Sequence, residues 1–149
     1  MGIEALRNRI GELAPAGEWV LITQEMINRF AELTGDHQWI HLDVERCERE
    51  SPYGTTIAHG MLVQSLIPRL LGEKPSWMDG FSAGINLGSD KIRFTAPVRT
   101  GNHIRATSSL SNVRDAGNGA VRTVTTVTVE IQGETKPAAH AELVGILYP

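Results

Sequence analysis

Apolar and polar positions change their period near the middle of the chain. In "TQEMINRFAELTG", residues 23–35, Met26, Ile27, Phe30, Ala31 and Leu33 recur near helical spacing, with Thr23 able to cap the start and Gly35 the end. This predicts a helix over residues 24–34. In "HGMLVQSLIPRLL", Met61, Leu62, Val63, Leu66, Ile67, Leu70 and Leu71 leave little polar face, which predicts a helix inside the protein. Pro68 has no amide hydrogen to give residue 64, so the last turn of that helix is expected to kink or end early.

Alternation by two takes over downstream. In "AVRTVTTVTVEIQ", Val121, Thr125, Val127, Val129 and Ile131 alternate with Arg122, Thr126, Thr128 and Glu130, and "NHIRATSSLSNV" places Ile104, Ala106 and Leu110 similarly. The turn formers of "DAGNG" between these runs predict a hairpin. "AAHAELVGILY" is apolar on both faces and is expected to be a central strand, while "AGINLGSDKIRFTAPV" supplies a strand ended by Pro97. With "EWVLI" near the N-terminus, the pattern predicts an α+β arrangement: an antiparallel sheet of about five strands wrapped round one long apolar helix.

Composition narrows the classes of function. A chain of 149 residues is expected to form a single domain with a core of its own. A net charge of −3, with both signs interspersed, gives no electrostatic footprint for nucleic acid or an anionic membrane. The lone Cys47 has no intrachain partner, and "MGIEALRNRIGEL" carries charges where a signal peptide would be apolar, so a cytoplasmic protein is expected.

The chemistry concentrates in "FAELTGDHQWIH". Asp36 and His41 stand five positions apart, which regular helix or strand would point in different directions, so only an irregular turn can make them converge. His37, His41 and His59 raise a metal site as an alternative, but the zincin glutamate spacing is missing and Cys47 has no neighbouring ligand.

"FAELTGDHQWIHLD", "GTTIAHGMLVQSLIPRLL" and "INLGSDKIRFTAPVRTGNHIRA" together resemble the MaoC-like group of (R)-specific enoyl-CoA hydratases, which includes proteins similar to nodulation protein N. The likeness runs from about residue 18 to the C-terminus. It implies a hot-dog fold, a homodimer, and reversible hydration of trans-2-enoyl-CoA to (3R)-3-hydroxyacyl-CoA. It also implies Asp36 and His41 as the catalytic pair, with an acyl-CoA or acyl-carrier-protein thioester as substrate and no separate cofactor.

Hydration needs a group to take a proton from water as its oxygen attacks C3, and one to protonate C2; Asp and His can share these tasks. Negative charge grows on the thioester oxygen, and the Gly60 amide at a helix start is the expected donor to it. Ser65 is a candidate to orient the pair or a backbone-bonding helix residue, and Asn86 a candidate substrate contact or an edge-strand residue. Lys91 and Arg93 could meet CoA phosphates, although solvated strand charges are the commoner case. One departure stands out: where many members carry Asn-Pro, this chain has Gln38-Trp39, so packing of Trp39 has to hold a turn that proline would fix. A non-catalytic acyl-thioester-binding shell and, less favoured, a thioesterase are the alternative functions.

Overall fold

The computed structural model describes residues 2–149. The element order is α1 (Ile3–Arg7), β1 (Val20–Leu21), α2 (Gln24–Thr34), α3 (Trp39–Leu42), α4 (Val44–Glu50), α5 (Gly60–Ser65), α6 (Ile67–Leu71), a 3₁₀ turn (Ser76–Met78), β2 (Ala83–Phe94), β3 (His103–Gly117), β4 (Ala120–Ile131) and β5 (Ala139–Tyr148). The strands form one antiparallel sheet in the order β1-β3-β4-β5-β2. The curled sheet with helices on its concave side is the hot-dog arrangement expected.

The hairpin lies where the turn formers place it. Asn118 and Gly119 have φ of 52° and 79°, the left-handed pair that a two-residue loop between twisted strands demands. Ile104, Ala106, Ser108 and Leu110 of β3 point inward with Val127, Val129 and Ile131 of β4. A bulge between Leu110 and Asn112 then reverses the parity, so that Val113 becomes the next buried residue. β5 is an inner strand, paired with β4 and β2, although β4 holds the centre.

Two expectations need correction. "EWVLI" contributes only Val20–Leu21 as strand; the preceding residues run along the β3 edge, with Gly11 N–H donating to Leu110 O at 2.8 Å and Ala14 N–H to Ser108 O at 2.8 Å. The long helix is two helices that meet at Leu66, two positions before Pro68. Pro68 sits in the first turn of α6, where a missing amide hydrogen costs little, so the break falls on its N-terminal side.

Both helices still cover the sheet. Leu62, Val63, Ile67 and Leu70 are buried against Ile104, Ala106, Val127, Val129 and Ala141. Leu70 is fully buried, and Leu70→Ala would remove about 2–5 kcal/mol. Met61 remains 59% exposed, so the helix pair is apolar on a face that the isolated chain leaves uncovered. No helix among the described residues is long and apolar enough to cross a membrane.

Candidate active site

α2 carries the chain to the site. The Thr23 side chain accepts the Met26 N–H at 3.2 Å, Ile27 and Ala31 bury one face, and Gly35 ends the helix at φ 79°, its N–H donating to Ala31 O at 2.8 Å. An L-residue at position 35 would be strained by that angle even though a Cβ there meets nothing within 4 Å. The chain then loosens. Asp36 is exposed, and its carboxylate accepts only the Gln38 N–H, at 3.3 Å.

Order returns with α3. Trp39 opens this single turn, with the Arg46 guanidinium 4.0 Å above its ring, and the Cys47 thiol lies 3.7 and 3.6 Å from the Trp39 and Ile40 carbonyls. Packing thus does here what a proline would do through its ring. Cys47 is buried, and its thiol pKa is raised chiefly by that burial.

His41 is 6% exposed, and its Nδ1 lies 2.7 Å from the Ile57 carbonyl oxygen. A carbonyl only accepts, so Nδ1 carries the proton and Nε2 keeps its lone pair. Burial is the main cause that lowers the His41 pKa, aided by the neighbouring His59; the Ile57 bond and Asp36 pull the other way. Behind His41, its own carbonyl accepts the Gln24 side-chain amide at 2.7 Å, and Gln24 Oε1 accepts the hydroxyl of fully buried Thr56 at 2.5 Å. Thr100 joins this group 2.7 Å from Thr56.

Asp36, His41 and His59 each offer an atom within 4.8 Å of the others'. The structure therefore brings the two members of the expected pair together, and adds His59 in place of His37, which is exposed. The His41 and His59 rings are stacked, 3.8 Å apart and 24° from parallel. Lone pairs lie in the ring planes, so two nearly parallel rings send theirs side by side instead of onto one ion. That geometry fits proton transfer better than metal ligation.

A cavity of about 360 Å³ opens beside His41, lined also by Tyr53, Gly60, Val63, Phe94 and Ala138. Gly60 begins α5, and a Cβ there would come within 2.9 Å of the Phe94 ring, so glycine is what lets the two approach. Ser65 lies apart from the pair, exposed, with its hydroxyl donating to Met61 O at 2.7 Å. Asn86 lines a second, more apolar cavity with Ile67, Pro68 and Leu143, and its side chain accepts the Gly88 N–H at 3.0 Å. Lys91 pairs with Glu142 at 3.5 Å in solvent, and Arg93 donates to Ile92 O. The sequence raised His59 only as a possible metal ligand, and its place against His41, like the Gln24–Thr56–Thr100 group, depends on partners distant in the chain; the one further signal was a histidine immediately before a helix-opening glycine.

Comparison with known proteins identifies the family. Residues 6–132 match the MaoC like domain, a stretch that begins before the likeness read from the motifs and stops short of β5. The chain is 50% identical over 132 residues to 3-hydroxyacyl-thioester dehydratase Z of Mycobacterium tuberculosis, covering 89% of this chain and 86% of that protein. It is 39% identical over 140 residues to nodulation protein N of Rhizobium leguminosarum bv. viciae, covering 94% and 87%. Among solved structures, the (R)-hydratase from A. caviae involved in PHA biosynthesis superposes with a TM-score of 0.72 at 24% identity, over 93% of this chain and 97% of that one, a likeness of fold. The chain belongs to the MaoC-like dehydratase family and, with it, to the hydratase/dehydratase class of enzymes.

Proposed function

We propose that this protein adds water reversibly to trans-2-enoyl-CoA to give (3R)-3-hydroxyacyl-CoA, with Asp36 and His41 acting on one water molecule. The observation that carries this reading is an imidazole with a free Nε2 that lines a cavity, with a carboxylate within 4.8 Å of the ring. As the water oxygen bonds to C3, the pair accepts a proton from it; C2 receives a proton from the pair, and both groups return to their starting states. The charge that grows on the thioester oxygen is met by the amide of Gly60, a residue that lines the same cavity. No separate cofactor enters this balance. The name of the mycobacterial relative, a 3-hydroxyacyl-thioester dehydratase, supports a thioester substrate.

The test is the ultraviolet absorbance of crotonyl-CoA followed together with free thiol. Loss of absorbance without thiol release, and a product oxidised by an (R)-specific dehydrogenase, is the expected result. Thiol release would instead mean a thioesterase, and a product seen only by an (S)-specific dehydrogenase would overturn the stereochemistry.

The same reading includes a homodimer. β2 is an edge strand along which Ile85, Leu87 and Phe94 are 51%, 56% and 46% exposed, and a second copy could pair with it and cover them. Light scattering should give twice the chain mass, and Leu87→Lys should shift the population toward monomer; a wild-type monomer at micromolar concentration would refute the dimer.

A further inference from the structure

Two imidazoles lie face to face in this site, and the reaction as proposed uses one. His59 is 3% exposed, held between His41 at 3.8 Å and Phe30 at 5.0 Å between ring centroids. Its Nε2 is 3.1 Å from the main-chain carbonyl oxygen of Asp36. Because that oxygen only accepts, the ring is set as the Nε2–H tautomer. Nδ1 is then left as a bare lone pair, buried with no partner. A buried polar atom without a partner is costly, which points to a use for the ring as a whole.

The Asp36 carbonyl is a telling place for this donor. The remaining hydrogen bonds of residues 35–38 are local: Gly35 N–H to Ala31 O, Asp36 N–H to the Thr34 hydroxyl at 3.4 Å, Gln38 N–H to the Asp36 carboxylate, and His41 N–H to Gln38 O. The bond from His59 spans 23 positions, and among the described residues it alone ties this loop to a distant part of the chain. The opposite ring face lies flat on His41, which is itself anchored through Nδ1.

We propose that His59 is a positioning residue of the reaction: its Nε2–H holds the main chain of Asp36 while its ring face sets the plane of His41, so that one side chain fixes the separation of the pair. The roles of Asp36 and His41 are taken from the function proposed above; the contacts of His59 stand without it. Titratable groups meet the stacked rings from few sides. Asp36 comes from the loop after α2, and Tyr53 lines the adjoining cavity; α2 presents Phe30, and the strand end at residues 94–98 carries no ionisable side chain.

Two substitutions separate the two contacts. His59→Phe keeps a flat ring and loses the donor, whereas His59→Gln keeps an N–H near the Nε2 position and loses the ring. At a pH where His41 is neutral, His59→Phe should lower kcat about tenfold with KM nearly unchanged, the worth of roughly one hydrogen bond felt in the transition state. His59→Gln should recover kcat to within about threefold of wild type. Wild-type kcat in His59→Phe, or no recovery in His59→Gln, would each overturn the proposal. Long-range 1H–15N spectra of the wild-type protein provide a reading that needs neither variant nor turnover. His59 should be the Nε2–H and His41 the Nδ1–H tautomer, and the opposite tautomer at His59 overturns the proposal. Absence of crotonyl-CoA turnover in the wild type would strike at the hydratase reading alone, and the spectra would still decide whether His59 holds Asp36.

Discussion

Asp36 and His41 are close in sequence and in space, yet opposite forces hold them. His41 is buried, its ring tied to Ile57, its main chain tied to Gln24, and one face covered by His59. Asp36 is exposed, in a loop that begins at a left-handed glycine, with its carboxylate held by one long bond. The imidazole is therefore placed by the core, and the carboxylate by a loop. A site built this way keeps its imidazole rigid and leaves adjustment to the carboxylate.

The largest expected effect breaks both sides of that contrast. Asp36→Asn and His41→Gln should each lower kcat by about 10² to 10⁴, the range of a lost acid or base, and the double variant should lose scarcely more than the worse single one. Stability should divide them. His41→Gln disturbs a buried bond worth about 1–3 kcal/mol and should lower Tm by several degrees, whereas Asp36→Asn should leave Tm within about a degree. Calorimetry beside steady-state kinetics checks both, and equal melting shifts would dissolve the distinction.

A smaller effect tests the support behind His41. Thr56→Val removes the shorter of the two hydroxyl bonds to the Gln24 carbonyl oxygen and leaves Thr100 at 3.2 Å, and should remove about 1 kcal/mol of stability and a few-fold in kcat, with KM unmoved. Retention of full kcat at reduced stability would mean the group supports the fold alone.

The smallest effect is the pH dependence of stability. Since burial lowers the His41 pKa in the folded state, the unfolded chain binds more protons just below the ordinary value of 6.5. Stability from this group is therefore greatest above pH 6.5 and declines as pH falls toward the folded-state value. Denaturant titrations should show that decline in wild type and Asp36→Asn, and lose it in His41→Gln.

Legibility in the sequence follows the range of the interactions. α2 and its caps and the Asn118–Gly119 turn depend on neighbours a few residues apart, so Thr23, Gly35 and Gly119 announce them. The inward rows of β3 and β4 follow from the period of two, until the bulge at Leu110–Asn112 adds a residue that no pattern marks. The split at Leu66 was misplaced because proline is tolerated in the first turn of a helix as well as disruptive later in one. At the site, the motif supplied Asp36, His41 and Gly60, and its own spacing demanded the turn. The anchoring of His41 by Ile57, Gln24 and His59 spans 16 to 18 positions, and only the closed fold exposes it. Ser65 and Asn86, polar positions within apolar runs, turn out to bond to their own local backbone.

The tight turn between β3 and β4 also sets an order in time. β3, β4 and β5 are neighbours in the chain and in the sheet, so they can pair by closing short loops. Residues 22–82, which hold Asp36, His41 and His59, form a long excursion closed only when β1 reaches β3 and β2 reaches β5. Long closures come late in folding. A ribosome delivers this excursion first, and the sheet that must cover Leu62, Val63 and Leu70 follows it out. The nascent chain thus carries its most apolar helices uncovered until its final strands emerge, and its active site is assembled after the scaffold. In refolding kinetics, Val127→Ala should slow folding, whereas substitutions at Thr56 should chiefly hasten unfolding.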